Sequence, residues 1–148
     1  MQQTLILLKP DAIQRRLIGV ILQRFEVKGL RVAGMKMLQA DSALAQKHYA
    51  IHQGKPFYNS LLQFLTSGPT VAVCLEGREA VAVVRSMMGA TDGAKSAPGT
   101  IRGDFGISVQ NNLIHGSDSP ENARTEIELW FRPDELVSWA PADGSWIG

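Results

Sequence analysis

The sequence contains a single cysteine, Cys74, and therefore no pair that could form a disulfide within the chain. It has no apolar segment long enough to span a membrane, and the segment at residues 4–8 is too short for the core of a secretory signal and has no basic region before it. A formal net charge of +1 lacks the basic excess that general nucleic-acid-binding proteins carry. These absences predict a cytoplasmic protein with no membrane partner and no obligate nucleic-acid partner.

Apolar residues recur at the spacings of strands and helices along the chain. The length of 148 residues predicts one domain, residues 1–148, with a substantial core. Buried strands are predicted at residues 5–8, 30–38 and 71–75 and before His115, with helices between them and after His115. This order predicts an α+β fold, a ferredoxin-like sandwich in which a four-stranded antiparallel sheet carries helices on one face, with additional helices.

Local signals mark where the predicted helices begin and end. Gly29 and Gly89 follow apolar helical repeats and are typical of C-terminal stops. Asp41 is a typical N-cap for a short helix that carries His48 and Tyr49. The residues after Phe131 are predicted to form an irregular tail packed on the body or on a neighbouring subunit.

The segment Asn111–Pro120 joins a predicted strand end to a predicted helix start. Leu113 and Ile114 are apolar and precede His115, and Ser119 before Pro120 is typical of a helix N-cap followed by N1. His115 is therefore predicted on a short turn near the positive end of a helix dipole, where anions are stabilised. It can be an ordinary loop histidine or one that meets a phosphate.

The helix after this turn favours the second alternative. Ala123, Ile127 and Trp130 form an apolar stripe, and Glu126 lies at its edge, where it can lean back toward His115. A carboxylate beside an imidazole orients the ring and raises its basicity, as a nucleophilic histidine requires. The alternative for Glu126 is a solvated glutamate on the flank of the helix.

Phosphate-binding residue types cluster in residues 90–106, which show no periodicity and are predicted to be a long loop. This segment contains Thr91 and Arg102, and Arg85 precedes it. Arginine forks match phosphate oxygens, although each arginine alone could equally form a surface ion pair. His48 and His52 have a spacing that could chelate a metal, but no third ligand has suitable spacing, so no protein metal site is predicted.

The segment from Asn112 to Asp118, Asn-Leu-Ile-His-Gly-Ser-Asp, resembles the active-site signature of the nucleoside diphosphate kinase family. The resemblance extends from Thr-Leu-Ile-Leu-Leu-Lys-Pro-Asp at residues 4–11 to Trp146. It implies the ferredoxin-like fold and a ping-pong reaction, in which a nucleoside triphosphate phosphorylates His115 and a nucleoside diphosphate accepts the phosphoryl group. It also implies Mg²⁺ bound mainly through the nucleotide phosphates.

The resemblance carries a set of active-site positions onto this chain. Arg85, Thr91 and Arg102 would hold phosphates, and Lys9 and Asn112 would contact the sugar hydroxyls, with Lys9 also near the transferred group. Phe57 would stack on the base with Val109 near it, which implies broad base specificity. Ser117 and Glu126 would set the environment of the histidine, with Tyr49 beside it and Gly116 next in the chain.

One position departs from the family pattern. The family commonly has Thr-Asn-Pro where this chain has Thr91-Asp92-Gly93, in a loop that contributes to subunit contacts. The resemblance implies a homo-oligomer built from dimers, a tetramer or a hexamer, and the glycine leaves the choice open. Two other functions remain as alternatives: a non-catalytic nucleotide or single-strand binder, and a histidine phosphocarrier with a protein partner.

Overall fold

Four β-strands form one antiparallel sheet in the order β2-β3-β1-β4. The computed structural model describes every residue from Met1 to Gly148. The strands are β1 (Gln2–Leu8), β2 (Arg31–Leu38), β3 (Thr70–Gly77) and β4 (Ile114–Gly116). The predicted four-stranded antiparallel sheet is thus confirmed, with β1 and β3 at its centre and β2 and β4 at its edges.

Eight α-helices accompany the sheet. They are α1 (Pro10–Gln14), α2 (Ile18–Lys28), α3 (Ser42–His48), α4 (Tyr58–Thr66), α5 (Ala80–Met88), α6 (Ile101–Phe105), α7 (Pro120–Trp130) and α8 (Gly144–Ile147). Short 3₁₀ turns occur at Ala50–His52, Gly93–Lys95 and Pro133–Glu135. No helix is long and apolar enough to cross a membrane.

Helices cover both faces of the sheet, so the expectation of one covered face was wrong. Ile6 and Leu8 of β1 pack in a core with residues of α2 and α5, and Leu5 and Leu7 pack in a second core with residues of α3, α4 and α7. The reason is the uninterrupted apolar run in β1: successive side chains point to opposite faces, so both faces need a hydrophobic cover.

The predicted helix ends are confirmed where a local hydrogen bond or backbone angle defines them. The side chain of Asp41 accepts from the Leu44 N–H at 2.8 Å, and Ser119 accepts from the Asn122 N–H at 3.0 Å. Gly29 ends α2 with a φ of 112°, a left-handed conformation that glycine adopts without steric penalty.

Two predictions about irregular segments were wrong. His115 does not lie on a turn: it is the middle residue of β4 and is paired with Leu7 of β1. Residues 90–106 are not a loop without structure, because Asp92 and Thr100 each cap a short helical turn within them. Both features depend on pairing or capping over a few residues, too short a stretch to leave a periodic pattern.

The tail packs along the outer strand of the sheet. The Val137 N–H donates to the Ala33 carbonyl at 2.7 Å, and the Trp139 indole N–H donates to the Val32 carbonyl at 2.9 Å. Trp146 by contrast has 87% of its surface exposed. The side chain of Ile147 nevertheless lies against Gly29, so the tail packs on the body in both halves, as predicted. The prediction that it is irregular was wrong at Pro133–Glu135 and in α8, which are short helical turns.

Candidate active site

A strained turn places His115 at the edge of the sheet. Leu113 has a φ of 76°, and the Ile114 N–H donates to the Asn112 carbonyl at 2.8 Å, which defines a γ-turn that non-glycine residues rarely adopt. Asp11 holds this turn by accepting from the Leu113 N–H at 3.1 Å, and the Lys9 N–H donates to the Leu113 carbonyl at 2.9 Å. The end of β1 and the start of β4 are thereby fixed together.

The imidazole of His115 is oriented by a carboxylate. Its Nε2 lies 2.8 Å from Glu126 Oε1, and the Ser117 hydroxyl donates to the same oxygen at 2.8 Å. Because an ionised carboxylate only accepts, we assign the ring proton of neutral His115 to Nε2. Nδ1 then carries the lone pair, and 23% of the His115 side chain is exposed, so a substrate can reach it.

His48 packs against His115, a contact that the sequence analysis did not predict. The rings of His48 and His115 are 4.5 Å apart in an edge-to-face arrangement, and the Trp130 indole N–H donates to His48 Nδ1 at 3.1 Å. Burial, followed by the neighbouring His115, Lys9 and His52, lowers the pKa of His48 well below its usual value. His48 is therefore neutral at physiological pH.

Tyr49 lies on the same helical end and extends this aromatic cluster. Its ring is 4.7 Å from that of His48. Burial and the nearby Glu126 raise the pKa of the Tyr49 phenol to about 12. Tyr49 therefore stays protonated in the physiological range and can only act as a neutral hydrogen-bonding group.

Lys9 and Asn112 form a polar pair beside the γ-turn. The Lys9 ammonium donates to Asn112 Oδ1, and Asn112 Nδ2 in turn donates to the Thr91 carbonyl at 2.9 Å. Burial and the charge of Arg102 lower the pKa of Lys9, against the opposing effect of Asp11, to about 8. This pair connects the end of β1 with the segment that follows α5.

Arg102 is buried and holds three backbone carbonyls. Its guanidinium donates to Asn112 O at 3.2 Å, Gly89 O at 3.3 Å and Ile114 O at 2.6 Å. Burial and the nearby Arg85 lower the pKa of Arg102 to about 10. Three of the five guanidinium N–H groups are used in this way, which leaves two for a ligand.

Arg85 approaches His115 from α5. Its guanidinium donates to the Gly116 carbonyl at 3.2 Å, and the rest of the side chain is open to solvent. Gly116 is buried against the same helix, and a side chain at this position would collide with the sulfur of Met88. The absence of a side chain at residue 116 therefore lets α5 and its arginine lie close to β4.

Phe57 and Val109, which are expected to contact the base of the nucleotide, lie at the solvent-exposed rim of the site. Phe57 caps α4 with 46% of its surface exposed, and its ring is 5.3 Å from that of His52, which neighbours Tyr49 at 6.2 Å. Val109 is 57% exposed on the segment between α6 and β4. Phe57 is thus connected to His115 through a chain of aromatic rings, whereas Val109 is not part of that chain.

The assembled site suits the transfer of an anionic group. It contains one accessible imidazole with a fixed lone pair, and Lys9, Arg85 and Arg102 supply positive charge from three different elements. Phosphoryl transfer depends mainly on positioning and on cations that stabilise the phosphoryl oxygens. Because His115 lies in a strand of the sheet, its side chain is held more rigidly than on a free loop.

Comparison with known proteins agrees with this chemistry. The sequence profile described as nucleoside diphosphate kinase matches residues 2–136. Nucleoside diphosphate kinases of Roseiflexus sp. (strain RS-1) and Archaeoglobus fulgidus are 54% and 50% identical over 147 residues. These alignments cover 99% of this chain, and they cover 99% and 97% of the two relatives.

Solved structures give the same result for the fold. A halophilic nucleoside diphosphate kinase from Halobacterium salinarum in complex with CDP superimposes with a TM-score of 0.97, at 47% identity, over 99% of this chain and 98% of its own. A nucleoside diphosphate kinase family protein from Babesia bovis gives a TM-score of 0.97 at 43% identity over the full length of both chains. The chain belongs to the nucleoside diphosphate kinase family, and it is an enzyme that transfers phosphoryl groups between nucleotides.

Proposed function

We propose that the enzyme moves the γ-phosphoryl group of a nucleoside triphosphate to a nucleoside diphosphate in two steps through phosphorylated His115. The observation that carries this proposal is the contact of His115 Nε2 with Glu126, which leaves Nδ1 as the nucleophilic nitrogen. In the first step Nδ1 forms a bond to the γ-phosphorus, and the bond from phosphorus to the β-phosphate oxygen breaks. The diphosphate leaves with that electron pair, and a second diphosphate then reverses the step.

Glu126 and Ser117 have complementary roles in these steps. When Nδ1 carries the phosphoryl group while Nε2 keeps its proton, the ring gains positive charge, and the Glu126 carboxylate 2.8 Å away stabilises that charge. Ser117 holds the carboxylate in place by donating to the same oxygen at 2.8 Å. No proton has to leave the pair during the transfer.

The remaining site residues bind the nucleotide in this proposal. Arg85, Thr91 and Arg102 hold the phosphates, Lys9 and Asn112 bind the sugar hydroxyls, and Lys9 also faces the transferred group. Phe57 and Val109 contact the base at the rim. Tyr49 lies beside His48 as a neutral group, and Gly116 keeps the space that Arg85 needs.

Magnesium enters this reaction with the nucleotide. The one group of metal-ligating atoms near the nucleophile consists of His48, His115 and Glu126, whose ligand atoms lie within 4.8 Å of one another. Two imidazoles and one carboxylate do not fit Mg²⁺, which prefers oxygen ligands in octahedral geometry. We therefore assign Mg²⁺ to the nucleotide phosphates, where it neutralises their charge.

A pulse-chase experiment tests the proposal. Purified protein is mixed with γ-labelled ATP and Mg²⁺, and unlabelled GDP is then added. Acid-labile label should appear on the protein, move to GDP, and be absent from His115→Ala. Bound nucleotide without transferred label would favour a non-catalytic binder, and label that requires an added protein would favour a phosphocarrier.

Broad base specificity is expected because Phe57 offers a stacking surface and no hydrogen-bonding edge. Stacking contributes about 1–3 kcal/mol per base and depends little on which base is bound. We predict that kcat/KM for purine and pyrimidine diphosphates differs by less than about a hundredfold, or about 2.7 kcal/mol. Steady-state assays with the four diphosphates measure this directly, and a larger selectivity would contradict the stacking role of Phe57.

A loss of activity at alkaline pH is expected from Lys9. Its pKa of about 8 means that the ammonium is charged below this pH and becomes neutral above it, so kcat/KM for the free enzyme should fall above about pH 8. The unfolded chain keeps this proton up to about pH 10.5, so the contribution of Lys9 to folding stability rises between pH 8 and 10.5. The fall in kcat/KM above pH 8 therefore cannot result from destabilisation of the fold by deprotonation of Lys9.

The matched variant for this profile is Lys9→Arg. Arginine does not titrate near pH 8, so the alkaline limb should move to higher pH even if the maximal rate is lower. The measurement is kcat/KM between pH 6 and 10 for both proteins. An unchanged limb in Lys9→Arg would show that another group causes it.

We further propose that residues 1–148 form one domain and assemble into a homo-oligomer built from dimers, a tetramer or a hexamer. The edge strand β2 exposes Met35 and Met37 at 56% and 57% of their surface, which supports an interface there. A side chain at position 93 would come within 2.5 Å of the Gly106 backbone. The glycine at this position therefore lets the loop pack closely against Gly106 within the same chain. A monomeric mass in light scattering at micromolar concentration would refute the oligomer.

A cytoplasmic location stays a prediction.

A further inference from the structure

The nucleophile sits among donors that suit a transition metal. His48, His115 and Glu126 bring two imidazole nitrogens and one carboxylate oxygen within 4.8 Å of one another. Two histidines and one carboxylate form a ligand set that Zn²⁺ accepts in many enzymes. A zinc ion held there would occupy His115 and block its reaction with a phosphoryl group. A group that disfavours zinc binding at these donors would therefore protect the proposed reaction of His115.

Trp130 disfavours zinc binding through its contact with His48. The indole N–H is a donor only, and Trp130 is 2% exposed, so the N–H has no access to bulk water. It donates to His48 Nδ1 at 3.1 Å. A neutral imidazole that accepts at Nδ1 carries its proton on Nε2. Neither nitrogen of His48 then offers a free lone pair to a metal ion.

We propose that Trp130 fixes His48 in the Nε2–H tautomer and thereby keeps zinc-like ions away from the nucleophile His115. For His48 to bind a metal through Nε2, its proton would have to move to Nδ1, where it would face the indole N–H. Two donors would then point at each other in a partly buried position, and the indole would lose its acceptor. The benefit of weak zinc binding rests on the proposed role of His115 as the nucleophile. The weak binding itself does not depend on that role and can be measured without any substrate.

The proposal goes beyond a packing role for Trp130. A tryptophan that only filled the core could be replaced by any group of its shape without changing the affinity for metal. Trp130 does pack in the core with Ala45, Leu65 and Ile127, so its shape has to be kept in the decisive variant. Replacement of residue 130 by 3-benzothienylalanine keeps the bicyclic shape and removes only the N–H. Trp130→Phe is a second variant made by ordinary mutagenesis.

The experiment is a zinc titration of nucleotide-free protein in competition with a chromophoric chelator. Removal of the N–H should tighten the zinc Kd at least about tenfold relative to wild type, since the buried donor no longer opposes the required tautomer. Addition of His48→Gln to either variant should cancel the gain. Trp139→Phe, which removes an indole N–H bonded to the Val32 carbonyl outside the site, should leave the Kd unchanged.

Two results would overturn the proposal. One is an unchanged zinc Kd in a variant whose circular dichroism spectrum shows the native fold, and the other is a gain that persists with His48→Gln. Nitrogen-15 NMR of wild-type His48 gives an independent measurement, because the proposal requires a protonated Nε2 and an unprotonated Nδ1. Phosphorylation of His115 by ATP without zinc is measured separately, so the proposed function can fail or hold independently of this result.

Discussion

Replacing His115 by alanine should lower kcat/KM for phosphoryl transfer by at least about 10⁴-fold, because no other residue in the site can take the role of the nucleophile. His48 is the neighbouring imidazole, but its ring lone pair on Nδ1 accepts a hydrogen bond from the Trp130 indole N–H and is not free to attack phosphorus. Tyr49 keeps its proton up to a pKa of about 12. Binding of the nucleotide should persist in the variant, since the cations on α5 and α6 remain.

The measurement is steady-state transfer from ATP to a pyrimidine diphosphate, together with thermal unfolding followed by circular dichroism. His115 makes one side-chain hydrogen bond and is partly exposed, so its removal should change the free energy of unfolding by only about 1 kcal/mol. His52→Ala is the matched control, because His52 contacts the rim rather than the nucleophile, and it should lose less than about tenfold. A His115→Ala enzyme within about a hundredfold of wild type would exclude the phosphohistidine mechanism.

Local sequence signals predicted the parts of the fold that depend on neighbouring residues. Asp41, Ser119 and Gly29 define helix ends because their effects act within one turn of backbone. The apolar run of residues 5–8 predicted a buried strand because a continuous run of apolar side chains is typical of strands covered on both faces. The prediction of one covered face failed although the apolar run in β1 requires a cover on both faces, because which distant helices pack on each face does not follow from the sequence of the sheet.

The functional site shows more clearly that contacts between residues far apart in sequence cannot be predicted from local patterns. His48 and Trp130 are 82 residues apart in sequence, and only the fold brings the indole to the imidazole. Spacing alone paired His48 with His52, whereas in the structure His48 contacts His115. A pattern in the chain reports periodicity within a few turns, so contacts between α3 and α7 cannot be obtained from it. Only the resemblance to the family placed such distant residues in one site.

Arg102 illustrates a role that residue type alone does not reveal. The sequence suggested a phosphate ligand on a loop, and the structure gives a buried guanidinium that joins α5, α6 and β4 through three carbonyls. The same side chain therefore supports the backbone around His115, and two of its N–H groups stay free of these carbonyls for the phosphate contact that we propose. Rigid support of this kind is what holds a catalytic group in its productive position.

Replacing Arg102 by methionine should therefore damage both stability and activity. The carbonyls of Gly89, Asn112 and Ile114 lose a charged donor, and the loss of several buried hydrogen bonds predicts a decrease of about 3 kcal/mol in the free energy of unfolding. In the proposed mechanism this cation also stabilises the transferred group, so its loss predicts a further decrease in kcat of about 10²–10³-fold. Urea unfolding at fixed protein concentration and steady-state kinetics measure the two effects.

Arg85→Met is the matched control, because it removes the other arginine of the site with a different structural context. Arg85 is exposed and donates to one carbonyl, that of Gly116, so its removal should cost less than about 1 kcal/mol of stability while still lowering activity by about 10²-fold. The difference between the two variants isolates the structural role of Arg102 from its charge. Equal free energies of unfolding for Arg85→Met and Arg102→Met would show that the Arg102 guanidinium does not stabilise the backbone through the three carbonyls. The rate loss in Arg102→Met would then come from the missing charge alone.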